Sequence, residues 1–266
     1  MTFDRHLPDT TLAGLAAVVD QAALTRTPVA MLTEAHPDMS LGDAYAVQAA
    51  LRKRMEARRV RVTGLKMGLT SRAKMQQMGV AESIHGFITD QQVYGEGSEI
   101  AIEAFIHPRI EAEIAVVMKH ALSGPHCTPA QAAAAVDFVL PAIEIIDSRY
   151  ADFKFDIRSV VADNTSAAGY VVGARSRDLA ELDLVTEGVV LSRNGRIVEL
   201  GAGAAVLGNP LEALAMLANQ RAALGYDIPA GSLVLTGGIT AAVAVSPGDD
   251  VFVQYQSLGT VRMRFI

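Results

Sequence analysis

The hydrophobic spacing of this chain changes period near residue 60, and that switch limits the folds open to it more than any other feature. Before it, Leu12, Leu15, Ala16, Val19, Ala22 and Ala23 recur three and four apart, the spacing of one helix face. Ser40 followed by Asp43 reads as the cap of a second helix. That helix runs to Arg52-Lys53-Arg54-Met55-Glu56-Ala57-Arg58-Arg59, a solvated helix end with cations near its C-terminus rather than a polyanion site. After residue 60 the pattern becomes short apolar runs between turns. Strands are predicted at 62–69, 110–118, 142–147, 169–172, 188–192, 197–200, 233–236, 251–255 and 260–265. Asn194-Gly195 between two of them predicts a type I′ hairpin. Helices interrupt at about 71–78, 128–138 and 210–224, the last opening on Pro210 and closing near Gly225. Helices first and strands afterwards predict an α+β fold rather than a βαβ repeat, with a helical region over 1–59 and a strand-rich core over 60–266.

With 266 residues, 50% of them hydrophobic and 20% charged, there is ample material for a large core. The net charge of −6 argues against a nucleic-acid or anionic-membrane partner. Tryptophan is absent, which disfavours stacking surfaces for single strands. No run approaches the roughly 18 apolar residues of a membrane span, and the opening MTFDRHLPDT lacks the apolar segment of a secretion signal. A single cysteine, Cys127, allows no intrachain disulfide and no thiolate metal cage. These features together predict a soluble, cytoplasmic protein.

The segment richest in chemistry is Arg109-Ile110-Glu111-Ala112-Glu113-Ile114-Ala115-Val116-Val117. In a strand, residues two apart share a face, so Glu111 and Glu113 point the same way. The residues around them are apolar, which suggests a buried strand. Two carboxylates so placed must share a proton, find cations or coordinate a metal. Glu144 lies in a second apolar run, 140–147. Three acids in apolar strands suit a hard cation with an all-oxygen shell, Mg²⁺ or Mn²⁺, rather than zinc. Glutamates facing solvent from a half-exposed sheet would produce the same pattern.

Lys66 is the one charge in the run 62–69, with glycines at 64 and 68. It suits balancing a carboxylate cluster, contacting an anionic substrate or moving a proton; a stem on apolar surface with its amine in water is the alternative. Thr236-Gly237-Gly238 follows an apolar strand, where backbone N–H groups can receive a carboxylate or simply turn the chain. Gly201-Ala202-Gly203 lacks the third glycine and the acid of a dinucleotide fingerprint. No G-x-S-x-G elbow and no paired zinc histidines occur. Arg149, Lys154 and Arg158 could contact substrate or a neighbouring subunit, with solvated surface charges as the default reading.

Five segments together resemble the hydratase/decarboxylase family of the fumarylacetoacetate hydrolase-like superfamily: 64–70, 110–114, 140–166, 201–210 and 235–238. The likeness spans essentially the whole chain in the family's order. It implies N-terminal helices followed by a mixed-β catalytic core. It implies Mg²⁺ or Mn²⁺ held by Glu111, Glu113 and Glu144, an active-site lysine at Lys66, and a substrate-contacting serine at Ser166. By residue type alone Ser166 is an ordinary loop residue. Thr236, Gly237 and Gly238 would lie at the substrate.

Within the family, the stretches 143–156 and 201–210 look like the 4-oxalocrotonate decarboxylase branch. Ile84 stands where hydratases usually carry an aspartate, and His85 where a phenylalanine or tyrosine is expected. The resemblance therefore implies loss of CO₂ from 2-oxohex-3-enedioate in catechol meta-cleavage, giving 2-hydroxypenta-2,4-dienoate. Lys66 would bond the developing enolate or relay a proton, and Ile84 would form an apolar wall near the departing carboxylate. It also implies association with a 2-oxopent-4-enoate hydratase and a homo-oligomer. The alternatives are hydration of 2-oxopent-4-enoate, C–C hydrolysis of an acylpyruvate, and a structural partner for a hydratase.

Overall fold

A computed structural model describes residues 4–77 and 83–266, with seven helices and thirteen strands among them. The helices are α1 (Asp9–Thr25), α2 (Leu32–Ala35), α3 (Leu41–Ala57), α4 (Arg72–Gln77), α5 (Pro129–Ala134), α6 (Ile157–Ala162) and α7 (Pro210–Ala223). The strands begin with β1 (Val62–Gly68), β2 (Ile84–Thr89), β3 (Val93–Tyr94), β4 (Glu99–Ile100), β5 (Arg109–Met118), β6 (Val136–Ile146) and β7 (Ala167–Val172). They continue with β8 (Gly188–Arg193), β9 (Arg196–Ala202), β10 (Leu233–Gly238), β11 (Val243–Ala244), β12 (Asp250–Tyr255) and β13 (Gly259–Phe265).

Helices precede strands, as the change of period predicts. Ser40 and Asp43 form a reciprocal capping box at the start of α3. Arg54 and Arg58, from the basic end of that helix, clamp the buried carboxylate of Asp20 on α1. An eight-stranded mixed sheet has the order β2-β1-β10-β5-β6-β7-β3, with β11 also on β5. A five-stranded sheet has the order β4-β13-β12-β8-β9. Asn194 and Gly195 turn β8 into β9 with φ of 54° and 73°, the backbone a type I′ turn needs.

Two expectations about element bounds are corrected. The helix expected over 128–138 stops at Ala134, and β6 begins at Val136 instead of 142. Residues 136–141 pair with Ile114–Met118 of β5, and a long ladder partner outweighs the helical preference of an alanine run. The strand β2 was not foreseen because His85-Gly86 interrupts its apolar run. The helix expected at 71–78 is seen as Arg72–Gln77, and residue 78 lies outside the described residues.

Alternation along β5 sorts its side chains into two environments. Ile110, Ala112, Ile114 and Val116 face the small sheet, in one core with Leu191, Val251, Val253, Val261 and Phe265. The odd-numbered residues, Glu111 and Glu113 among them, face the other way. A second core joins α1 and α3 to Ile84, Tyr150 and Val160–Ala162. The helical region thus packs directly against the site-bearing side of the large sheet. Among the described residues, no helix is long and apolar enough to cross a membrane.

Candidate metal centre and active site

The register of β5 against β6 sets Glu111 directly opposite Glu144, and Glu113 opposite Ala142. Directly opposed residues share a face, so three carboxylates converge on one side of the large sheet. One oxygen from each lies within 4.8 Å of the others. Glu113 is fully buried and Glu144 is 1% exposed. Glu113 Oε1 and Glu144 Oε1 have no hydrogen-bond partner among the described residues. Buried carboxylate oxygens left open in this way are costly unless a cation or proton completes them.

Lys66 enters from β1, two strands away across β10. Its ammonium lies 3.1 Å from Glu144 Oε2 and donates to the Thr165 carbonyl at 3.0 Å. Burial, reinforced by the Glu144 charge, pushes Glu113 well above the usual carboxylate range against the pull of Lys66. Burial likewise raises Glu144, again opposed by Lys66. The Lys66 ammonium sits against Glu144 and leaves Glu113 without an ion pair among the described residues. An all-oxygen set of this kind fits a hard divalent cation such as Mg²⁺ or Mn²⁺.

Gly237 and Gly238 shape the floor beside these acids. Gly237 donates its N–H to Glu113 Oε2 at 2.9 Å, at a φ of 119°. A β-carbon there would stand 2.2 Å from Thr70 Oγ1, so the position admits glycine alone. A register shift between Leu235 and Gly238 re-aims the strand locally. Thr236 consequently turns its hydroxyl to the Ile114 carbonyl at 2.9 Å and is buried away from the cavity wall. From the small sheet, the Tyr255 hydroxyl sits 2.7 Å from the carbonyls of both Glu113 and Ala142, pinning the two strands that carry the acids.

The segment at 164–166 supplies the opposite wall. Asn164, Thr165 and Ser166 all have left-handed φ, 49° to 56°, a costly run for non-glycine residues. Arg149 holds it in place. Its guanidinium pairs with the Asp163 carboxylate and donates to the Asp163 carbonyl at 2.5 Å and the Asp147 carbonyl at 2.6 Å. Burial pushes the Asp163 carboxyl up to about 6 against the pull of Arg149. The Asn164 side chain brackets Phe87 of β2, accepting from its N–H at 2.9 Å and donating to its carbonyl at 2.8 Å. That approach requires Gly86, where a β-carbon would meet the Asn164 carbonyl at 2.7 Å.

A cavity of 480 Å³ opens over the cluster. Lys66, Glu111, Ile84, Ser166 and Gly238 line it, as do Thr70, Arg109, Phe153, Phe155 and Val160. Sequence reasoning therefore named residues that the fold brings together, apart from Thr236, whose side chain lies in the strand pairing.

Other residues were missed. Arg149 was read as solvated and is 6% exposed, because the 163–166 turn folds back over it. Lys154 is exposed, with 76% of its side chain accessible. Arg158 donates to the carbonyls of Pro37 and Met39, tying α6 to the helical region. Arg109 went unremarked, although its place two residues before Glu111 signals the same strand face. His85 turns away from the cavity, stacks on Tyr45 with ring centroids 4.7 Å apart, and lies 3.3 Å from Gln220 Oε1. Burial, with the nearby Arg221 charge, lowers it to about 3.

Residues 61–266 match the family model described as fumarylacetoacetate (FAA) hydrolase C-terminal. Over 263 residues, 99% of this chain and 100% of the relative, the sequence is 51% identical to a 4-oxalocrotonate decarboxylase of Pseudomonas putida. It is 40% identical over 245 residues to a 2-keto-4-pentenoate hydratase of Paraburkholderia xenovorans (strain LB400), covering 92% of this chain and 91% of that relative. Among solved structures, the 4-oxalocrotonate decarboxylase from Pseudomonas putida G7, complexed with magnesium and adipate, superposes with a TM-score of 0.98. That match has 50% identity and covers 99% of this chain and 100% of the other.

Proposed function

Because this chain belongs to the fumarylacetoacetate (FAA) hydrolase family, we propose that it is a divalent-metal-dependent carboxy-lyase acting on 2-oxohex-3-enedioate. The observation that carries this reading is the buried Glu111–Glu113–Glu144 cluster beside Lys66, walled by Ile84 where a water-managing acid would serve a hydratase. Full-length likeness to a decarboxylase, above that to a hydratase, supports the same branch.

The three glutamates are the residues that would hold Mg²⁺ or Mn²⁺. When bound, such a cation supplies Lewis-acid polarisation of the 2-oxo group. Lys66 pairs with Glu144 and donates to the Thr165 carbonyl, and a further N–H of its three would donate to the 2-oxo oxygen as charge develops there. Ser166 lines the cavity, and its hydroxyl, 3.5 Å from Asp163 Oδ2, would turn to orient the substrate. Ile84, Val160 and Phe155 form an apolar side that excludes water from the carbon chain. Gly237 and Thr236 act through the strand, fixing Glu113 and the turn that Gly238 contributes to the cavity.

In the reaction, the bond to the remote carboxylate breaks and CO₂ leaves. The electron pair delocalises through the double bond onto the 2-oxo oxygen, and a proton from solvent, relayed by Lys66, converts that dienolate to 2-hydroxypenta-2,4-dienoate. We further infer that the protein works in the cytoplasm, self-associates and binds the 2-oxopent-4-enoate hydratase that consumes this dienol. Co-elution of the two proteins on size exclusion tests the association.

The assay of function uses metal-stripped protein and 2-oxohex-3-enedioate, with CO₂ and dienol followed together. CO₂ release that returns with Mg²⁺ or Mn²⁺ is expected. Water addition to 2-hydroxypenta-2,4-dienoate without CO₂ release would move the assignment to a hydratase.

A further inference from the structure

The cavity contains a second cation that the chemistry above leaves unused. Arg109 stands two residues before Glu111 on β5, so its side chain emerges on the carboxylate face and lines the cavity. Among the described lining residues, the cations are Lys66 and Arg109. Lys66 is committed to Glu144 and Thr165. The Arg109 guanidinium has no carboxylate partner and no hydrogen-bond acceptor among the described residues. It rests instead over the Phe153 ring, 4.3 Å from the centroid.

Phe153 is itself held under constraint. Asp152 and Phe153 have φ of 57° and 58°, the left-handed region that a bulky side chain enters at a cost. Its ring is buttressed by His107 at 5.1 Å and Phe155 at 6.1 Å between centroids. The surrounding fold thus spends strain to set an aromatic platform under one arginine. A planar fork of five donors, propped at a cavity wall with no protein acceptor, matches a carboxylate.

The substrate reading supplies such a carboxylate. A six-carbon dianion with its 2-oxo acid end at the glutamate cluster must place its other charge elsewhere. Arg109 and Glu111 are separated by roughly 7 Å of strand, two residues' rise, comparable to the length of a six-carbon diacid. We propose that Arg109 is a specificity-determining residue that receives the carboxylate remote from the glutamate cluster, held in position by Phe153. This rests on the decarboxylase reading and extends it.

Two consequences follow from the chemistry. 2-Oxopent-4-enoate, the substrate of the alternative hydratase reading, lacks the remote carboxylate, so the arginine selects diacids over such monoacids. The pair stabilises the bound diacid as much as it orients the bond that breaks, so its loss raises KM more than it lowers kcat. With the remote carboxylate at Arg109, Ile84 flanks the carbon chain rather than the departing group itself.

The test compares 2-oxoadipate with 2-oxohexanoate, two acids alike except for the remote carboxylate, by calorimetric titration of Mg²⁺-loaded protein. Arg109→Met is expected to weaken 2-oxoadipate by about 10- to 100-fold and to leave 2-oxohexanoate and Mg²⁺ binding unchanged. Arg109→Lys, which keeps the charge without the fork, should fall between. Equal weakening of both acids, or of neither, overturns the proposal. Wild-type protein that binds neither acid overturns the decarboxylase reading along with it, a result seen before any variant is made.

Discussion

Replacing Lys66 by methionine keeps the stem of the side chain and removes the ammonium that balances the glutamate cluster. Its Nζ stands 3.1 Å from Glu144 Oε2, and the two side chains are 3% and 1% exposed. Solvent screening is therefore slight. Breaking a buried pair by removing one partner costs about 3–5 kcal/mol, because the remaining charge is left uncompensated. For a chain of this size that is a fall in Tm on the order of 10 °C. Unfolding should be followed in EDTA, so that no divalent cation substitutes for the lysine. A second variant, Lys66→Met with Glu144→Gln, removes both charges and should recover at least about half of the loss through their coupling. If Lys66→Met matches wild type in EDTA, or if the double variant is no more stable than the single one, the electrostatic reasoning fails. In the assay, loss of a group that bonds the developing enolate should lower kcat by about 10²–10⁴-fold.

Gly237→Ala should cost at least about 2 kcal/mol of stability through strain and overlap with Thr70. It should also weaken Mn²⁺ binding, since the Gly237 N–H orients Glu113; wild-type values on denaturant unfolding and titration would contradict this. His85 sets a pH dependence of stability. Its folded value of about 3 lies below the ordinary 6.5, so the unfolded chain takes up a proton that the folded chain refuses. Stability is therefore whole above pH 6.5 and lost as the pH falls toward 3. At pH 5 the loss is about 2 kcal/mol, and a His85→Phe variant should lack that share of the acid slope in urea titrations.

The part of the site legible in the sequence is the part encoded by local pattern. Glu111 and Glu113 share a face because strands alternate, and an apolar run around them signalled burial. Lys66 stood out as a lone charge among apolar and small residues. The convergence of Glu144 on the pair depends on the β5–β6 register, which a list of strands does not contain; there the family resemblance carried the reading. The capping box at Ser40 and the Asn194-Gly195 hairpin were legible for the same local reason.

What escaped depends on contacts distant in sequence or on irregular backbone. Arg149 resembles a surface charge until the 163–166 turn wraps it, and that turn uses left-handed residues that no propensity favours. Thr236 and Gly238 look equivalent by alternation, yet the shift in register between Leu235 and Gly238 separates their roles. The alanine-rich run 130–135 suggested a longer helix than forms, because β5 is long enough to capture the residues that follow. Arg109 was visible at the right spacing, but its unpaired state appears only once Phe153 is beneath it.

Whether Glu111, Glu113 and Glu144 together hold one divalent cation is tested most directly by anomalous diffraction from crystals soaked in Mn²⁺. A single anomalous peak is predicted, about 2.1 Å from an oxygen of each carboxylate. Absence of a peak there in protein that still releases CO₂, or a peak bound by other residues, would contradict the assignment.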